Sequence, residues 1–226
     1  MKVKFGAIVV DGRNKIGGHV MSKNRAGSYM RTKVTPVNPR SVDQQSARAR
    51  LAFCSSAWSD MDPASIKSWN SAVFSWSKSD IFGDIKHPSG FNLHQKVNNN
   101  ILRVGGSGTD TPPVRISLDD LGILTIGTVT ASAIPLTFTL QALGTNEKLE
   151  ILATPPVSVG KTFVKSEYRI IGHTLSLTTG ACDAGTLYMA KFGGPIDPSK
   201  PFFIMARIVD STTGQVSVPV SAKFEP

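Results

Sequence analysis

The first 146 residues of this 226-residue chain contain no glutamate; all four Glu stand at Glu147 or later. That absence leaves the front of the chain cationic. Residues 1–50 hold eleven Lys/Arg against two Asp, a balance of +9, while residues 51–226 hold fourteen of each sign. Between Gly12 and Val42 seven basic residues stand with no acidic one. Such an end seeks an anionic surface, either nucleic acid or an acidic protein face. Cysteine is scarce too. Cys54 and Cys182 are the only two, which excludes a disulfide scaffold, and they fall in segments that read as different modules. Cys54 has helical neighbours and reads as a small buried apolar residue. Synthesis in a reducing cytoplasm fits this usage. Long apolar runs are missing. "FGAIVV" is too short for a signal peptide, and no stretch approaches the ~18 apolar residues of a membrane span. Charged residues make up 18%, below the usual share of about 25%. The deficit suits a β-rich chain, or one that buries surface against partners, and excludes a disordered one.

Signatures of catalysis are lacking as well. The four histidines, His19, His87, His94 and His173, stand at no metal-binding spacing. H-E-x-x-H, paired C-x-x-C and G-x-S-x-G are absent. His94 reads as a structural histidine near an apolar helix face, and His173 as a strand residue. "GGSGTDT" leads into Pro-Pro rather than a helix N-terminus, and "VGKT" has no leading glycine at the phosphate-loop spacing. Asp119-Asp120 are adjacent acids, not a pair converging from two elements. The expectation is a protein that is not an enzyme, with no metal site and no cofactor.

What is present divides the chain into an arm, a helical segment, a linker and a β domain. Residues 1–40 read as an extended basic arm with a possible hairpin. Its short β-prone pieces are broken at Asp11-Gly12 and Gly17-Gly18. "SYMRTKVTPV" alternates like a strand, and Pro36 and Pro39 stop it. A lone hairpin is marginally stable, so the arm should complete its hydrogen bonding on another part of the protein or on another subunit. Phe5, Ile8, Val9, Val10, Ile16, Val20, Tyr29, Met30 and Val34 set it apart from a purely electrostatic tail and suit strand addition. Binding of phosphate backbone by the arm is the alternative.

Residues 41–103 read as helical. Ser41 and Gln44 fit a capping box, and Ala47, Leu51, Cys54, Trp58 and Met61 follow at helical spacing. Asp62-Pro63 restarts a helix, with Ile66, Trp69, Val73 and Trp76 as its apolar stripe. A third helix starts at Ser89, with Leu93, Val97 and Ile101 spaced by four. All three tryptophans lie here and read as core; a base-stacking platform would need their rings exposed. Residues 104–113, "VGGSGTDTPP", read as a linker. Residues 114–226 read as β throughout. The candidate strands are "VRISL", "ILTIGTV", "PLTFTLQA", "KLEILAT", "KTFVKSEYRI", "HTLSLTT", "TLYMAKF", "FFIMARIVD" and "VSVPVSAKF". Turn signals recur about every 8–12 residues, as in a β-sandwich of immunoglobulin size. The expected class is therefore α+β: an extended basic N-terminal arm and short helices followed by an all-β immunoglobulin-like sandwich.

The arm and first helices resemble a group of structural proteins from tailed phages. In these a G-x-Y-x-R…P-x-N-P-x-[ST]-x-x-Q-x-x-x-R pattern precedes a short helical segment. Here the pattern reads Gly27, Tyr29, Arg31, Pro36, Asn38, Pro39, Ser41, Gln44 and Arg48, and Trp69-Asn70 and Gly90-Phe91-Asn92-Leu93 follow. Similar proteins occur in phages of Bacteroidota, crAss-like phages included. The likeness covers about residues 12–103. It implies a virion component made in the bacterial host cytoplasm: a capsid auxiliary or decoration protein, present in many copies, whose partners are the major capsid protein or other virion proteins. A head-to-tail or tail adaptor, or a genome-facing protein with weak nucleic-acid contact through the arm, is the alternative; a host-surface or glycan-binding sandwich is a third. No membrane is implied. The expected partner-binding residues are Arg13, Lys15, Lys23, Arg25, Tyr29, Arg31, Lys33, Arg40 and Arg48.

Overall fold

The structure, a computed structural model, describes residues 1–6, 12–174, 177 and 179–226. It is a mixed helix and strand protein. The chain opens with a small antiparallel meander, β1 (Asn14–Ile16), β2 (His19–Asn24) and β3 (Gly27–Thr32). Gly17-Gly18 makes the first turn, with Ile16 opposite His19, and Arg25-Ala26 makes the second. The expected turn at Asp11-Gly12 falls partly outside the described residues, as do the expected anchors Ile8, Val9 and Val10. The chain's start pairs on the free side of β3: Val3 N–H donates to Ser28 and Met30 N–H to Met1. The arm thus completes much of its hydrogen bonding within itself, and only residues 33–41 run extended and exposed into the first helix.

Three helices follow. α1 (Val42–Asp60) begins where Ser41 Oγ accepts from Gln44 N–H. α2 (Pro63–Ala72) begins where Asp62 accepts from Ala64 and Ser65. A 3-10 turn over Val73–Trp76 extends it. α3 (Gly90–Arg103) begins where Ser89 accepts from Asn92. Each start is the side-chain cap its sequence announces. Between α2 and α3 lies a short hairpin absent from the sequence reading, β4 (Lys78–Ser79) and β5 (Ile85–Lys86). Trp69, Val73, Trp76, Leu93, Val97 and Ile101 form the helical core, flanked by Trp58 and Met61. Gly90 lets α3 start against α2, because a Cβ there would collide with Asn70. The two short motifs quoted above therefore meet in space. Leu51 departs from the expected stripe: it is 49% exposed, and α1 buries only Cys54.

Residues 104–113 are pinned to the helical core at Thr109 and Asp110. Trp69 Nε1 donates to Asp110 C=O at 2.8 Å, and Asn98 exchanges two bonds with Thr109. Beyond them two antiparallel sheets share one core. β6 (Leu124–Ile126), β7 (Pro135–Phe138) and β10 (Ala181–Asp183) form a three-stranded sheet, ordered β10-β7-β6. β8 (Glu147–Ala153), β9 (Arg169–Thr174), β11 (Phe202–Asp210) and β12 (Val220–Phe224) form a four-stranded one, ordered β12-β11-β8-β9. Alternate residues of β8 and β11, such as Ile151 and Ile204, point into that core.

Three expected strands are corrected. "TLYMAKF" is a helix, α4 (Gly185–Phe192). Tyr188 and Phe192 meet one turn apart as a tilted pair, with ring centroids at 4.7 Å, and Tyr188 also meets Phe202. Gly193, at φ 73°, ends the helix. A seven-residue piece with five apolar side chains suits either period, and packing of Tyr188 against Phe202 decides it. "VRISL" carries no strand; Ile116 N–H is taken instead by the Gln215 side chain. "KTFVKSEYRI" is mostly irregular, with one turn over residues 165–167, and β9 starts only at Arg169. "HTLSLTT" reaches β9 through Thr174 and then passes outside the described residues.

Candidate partner interface

The expected binding residues do not form one cluster. Lys15, Val20 and Arg31 lie in register across the meander, with Tyr29 two residues along on the same face. Lys33 follows Arg31 by the same alternation and donates its N–H to Gly18. Arg13 stands just before β1. Lys23 lies on the opposite face and Arg25 at the second turn. Arg40 and Arg48 belong to the helix entry. Arg48 donates to Asn38 Oδ1 at 2.9 Å, and Gln45 Nε2 donates to the Arg40 carbonyl at 2.8 Å. This local clasp explains physically why Asn38, Ser41 and Arg48 stand at that spacing: it aims the exposed segment into α1.

The meander is tied to the β4–β5 hairpin by charge. Lys4 lies 3.0 Å from Asp84 and Lys2 3.6 Å from Asp80. The Lys4–Asp84 pair is exposed on both sides and contributes little, whereas the Asp80 side chain is buried beneath Lys2. The wider surface is unfinished. Val34, Val37 (87% exposed), Val42, Leu51 and Phe53 (59% exposed) stand in solvent along residues 33–41 and α1.

The helical module joins the β body through a charged joint. Glu150, buried on the outer face of β8, pairs with Arg207 of β11 at 2.6 Å and with Arg103 at the end of α3 at 2.5 Å. Lys148 donates to the Val104 carbonyl at 2.6 Å. Asn100 donates to the Gly214 carbonyl at 2.9 Å. Gly214 has φ 61°, and a Cβ there would strike the Val97 carbonyl. At the far end Lys191 of α4 reaches Asp43 of α1 at 2.6 Å.

Three titratable groups, Cys54, His94 and Asp110, line a small cavity of about 110 Å³. Burial pushes the Cys54 thiol up, so it is held protonated. Burial also holds His94 below the usual imidazole range, against the opposing charge of Asp110. The His94 ring lies between Trp58 and Trp69, at 5.3 and 5.1 Å. Its Nδ1 has no partner among the described residues, so the environment is that of a core ring rather than an activated pair. Cys182 is pushed up to about 11, first by burial and then by Asp183. Both thiols are free. Among the described residues no three His, Cys, Asp or Glu side chains gather as a metal would need. No helix among them is long and apolar enough to cross a membrane.

Sequence reasoning missed a second basic surface. Lys78, Lys96 and Arg115 surround Trp76 from three different segments. Lys96 Nζ lies 4.9 Å and the Arg115 guanidinium 6.0 Å from the ring centroid. One signal was available, since no acidic residue occurs between Asp84 and Asp110. The chain matches no known family model, and a search of curated proteins finds no match.

Proposed function

We propose that this chain is a non-enzymatic virion structural protein, most simply a capsid auxiliary or decoration protein of a tailed phage. In this reading the meander, the exposed segment 33–41 and α1 clamp neighbouring capsid subunits, and the β body projects from the particle. The single observation that carries the reading is the state of α1. It is 19 residues long, about 28 Å, yet buries one residue, Cys54, and holds Val42, Leu51 and Phe53 in solvent. A helix stays formed in proteins mainly by packing an apolar face. One left this bare is better explained by a partner that covers it. The resemblance of residues 12–103 to tailed-phage structural proteins supports the same assignment.

The β body reads as an immunoglobulin-like sandwich. Lettered in chain order with β9 as C′ and β10 as E, the sheets are A-B-E and C′-C-F-G. That is the constant-type arrangement with its fourth strand moved to the CFG sheet. The helix α4 fills the connection from E to F.

The test is composition. Mass spectrometry of purified tailed particles whose genome encodes this chain should find it as an abundant, stoichiometric component that co-migrates with the capsid shell. Its absence from mature particles would sink the reading. Its recovery only with isolated tails would move the protein to the adaptor role.

A further inference from the structure

We propose that the groove beside Trp76 binds an extended, carboxylate-rich segment of a partner protein. The groove is two connected cavities of about 460 and 740 Å³ that share Trp76, Lys78 and Lys96. Basic side chains run along it, and toward both ends some are already matched by carboxylates of this chain, although Arg25 at the first end has none among the described residues. At one end Lys86 lies 3.8 Å from Asp84. At the other, Arg103 and Arg207 share Glu150. The middle has no such match. No carboxylate of the described residues lies within ion-pair distance of Lys78, Lys96 or Arg115, and the Arg115 guanidinium donates only to the Ser75 carbonyl, at 2.9 Å.

The arrangement is unfavourable unless something anionic arrives. Lys78 and Lys86 stand directly opposite each other across the β4–β5 hairpin, and like charges in that position repel. Partial enclosure, with Lys78 and Arg115 nearby, holds the pKa of Lys96 below the usual lysine range. Trp76 is buried, and its Nε1–H has no acceptor among the described residues.

The chemistry of the lining favours carboxylate over nucleic acid. Single strands are held without sequence preference by exposed aromatic faces as well as by charge. Trp76 offers none, because it is 8% exposed and has cations at its ring. The lining also carries the apolar ring of Pro88, which suits a peptide with apolar residues between its acids. The inference holds for any acidic partner and does not rest on the virion reading.

The test uses the purified full chain and a fluorescein-labelled oligoglutamate peptide, read by anisotropy, with Trp emission followed in parallel. Wild type should bind with affinity that falls as salt rises. Lys78→Ala with Lys96→Ala should weaken binding by about tenfold or more. Lys67→Ala with Lys165→Ala removes the same charge from exposed sites elsewhere and should bind as wild type. Arg115→Gln, which keeps the side chain's bulk, should weaken binding by a smaller factor. Equal losses in the two double variants would overturn the proposal in favour of diffuse attraction to a basic protein. Stronger competition by charge-matched oligo(dT) than by unlabelled oligoglutamate would overturn it in favour of nucleic acid. No salt-dependent binding at all would end it outright.

Discussion

The two halves of the molecule solve the burial problem differently. The β body closes on itself: two sheets and α4 enclose one continuous core, and β11 alone sends Phe202, Ile204, Ala206 and Ile208 into it. The N-terminal half keeps a small core around Trp69 and leaves the rest open, with the meander half-covered and α1 lying on α3 by one edge. Charge follows the same division. Residues 1–103 hold sixteen Lys/Arg against six Asp, a balance of +10, and residues 104–226 hold nine Lys/Arg against ten acids, a balance of −1. A finished half and an unfinished one in a single chain are what the proposed docking role requires: one part would stand alone, and the other would reach its lowest free energy only when covered.

The largest test of this contrast lies in the finished half. Phe202→Ala removes a ring that meets Tyr188 and Phe224 at centroid distances of 5.3 and 5.0 Å. It should destabilise the β body by about 3–5 kcal/mol, measured by urea denaturation followed by far-UV circular dichroism. Next comes the joint. Glu150→Ala strands two arginines that are themselves only partly exposed, and should cost about 3 kcal/mol, near the low end for a broken buried pair. If the joint couples the halves, the transitions read by dichroism and by tryptophan emission should separate in this variant. All three tryptophans lie in the helical module, so emission reports that half alone.

A third test uses pH. Burial depresses His94. The unfolded chain takes up a proton near pH ~6.5 that the folded module refuses. Stability of the helical module should therefore be full above that pH and decline as pH falls toward the depressed folded value. His94→Leu should flatten that decline in tryptophan-detected melts. The smallest effect is at the entry to α1. Ser41→Ala should cost about 0.5–1 kcal/mol of local helix stability, visible as faster amide exchange over the first turn of α1 with no change in β11.

The sequence made the local starts legible. Ser41, Asp62-Pro63 and Ser89 each announced a helix through a side chain that accepts from nearby backbone N–H groups, and each helix begins there. The long strands β8 and β11 were legible for a similar reason, since their apolar runs are bounded by turns. What stayed hidden depends on distant partners. α4 is a helix because Tyr188 packs on Phe202, with Phe192 against Tyr188. "VRISL" fails as a strand because Gln215 takes its backbone. Leu51 fits the helical stripe of α1, yet α3 covers the neighbouring edge. The interface was half legible. The basic bias of the first fifty residues was plain in composition, but its split between the two faces of the meander needed the register. The groove around Trp76 joins residues from Lys78 to Arg115, and no local pattern announces that union.

The most direct measurement is limited proteolysis of the free protein and of assembled particles, with every cut located by mass spectrometry. In the free protein trypsin should cut first at Lys33 and Arg40, in the exposed segment before α1, while residues 114–226 persist. In the assembly those two sites should be protected and peptides of the β body released. Equal cutting at Lys33 and Arg40 in both forms would contradict the account, because the unfinished half would then have no partner to finish it.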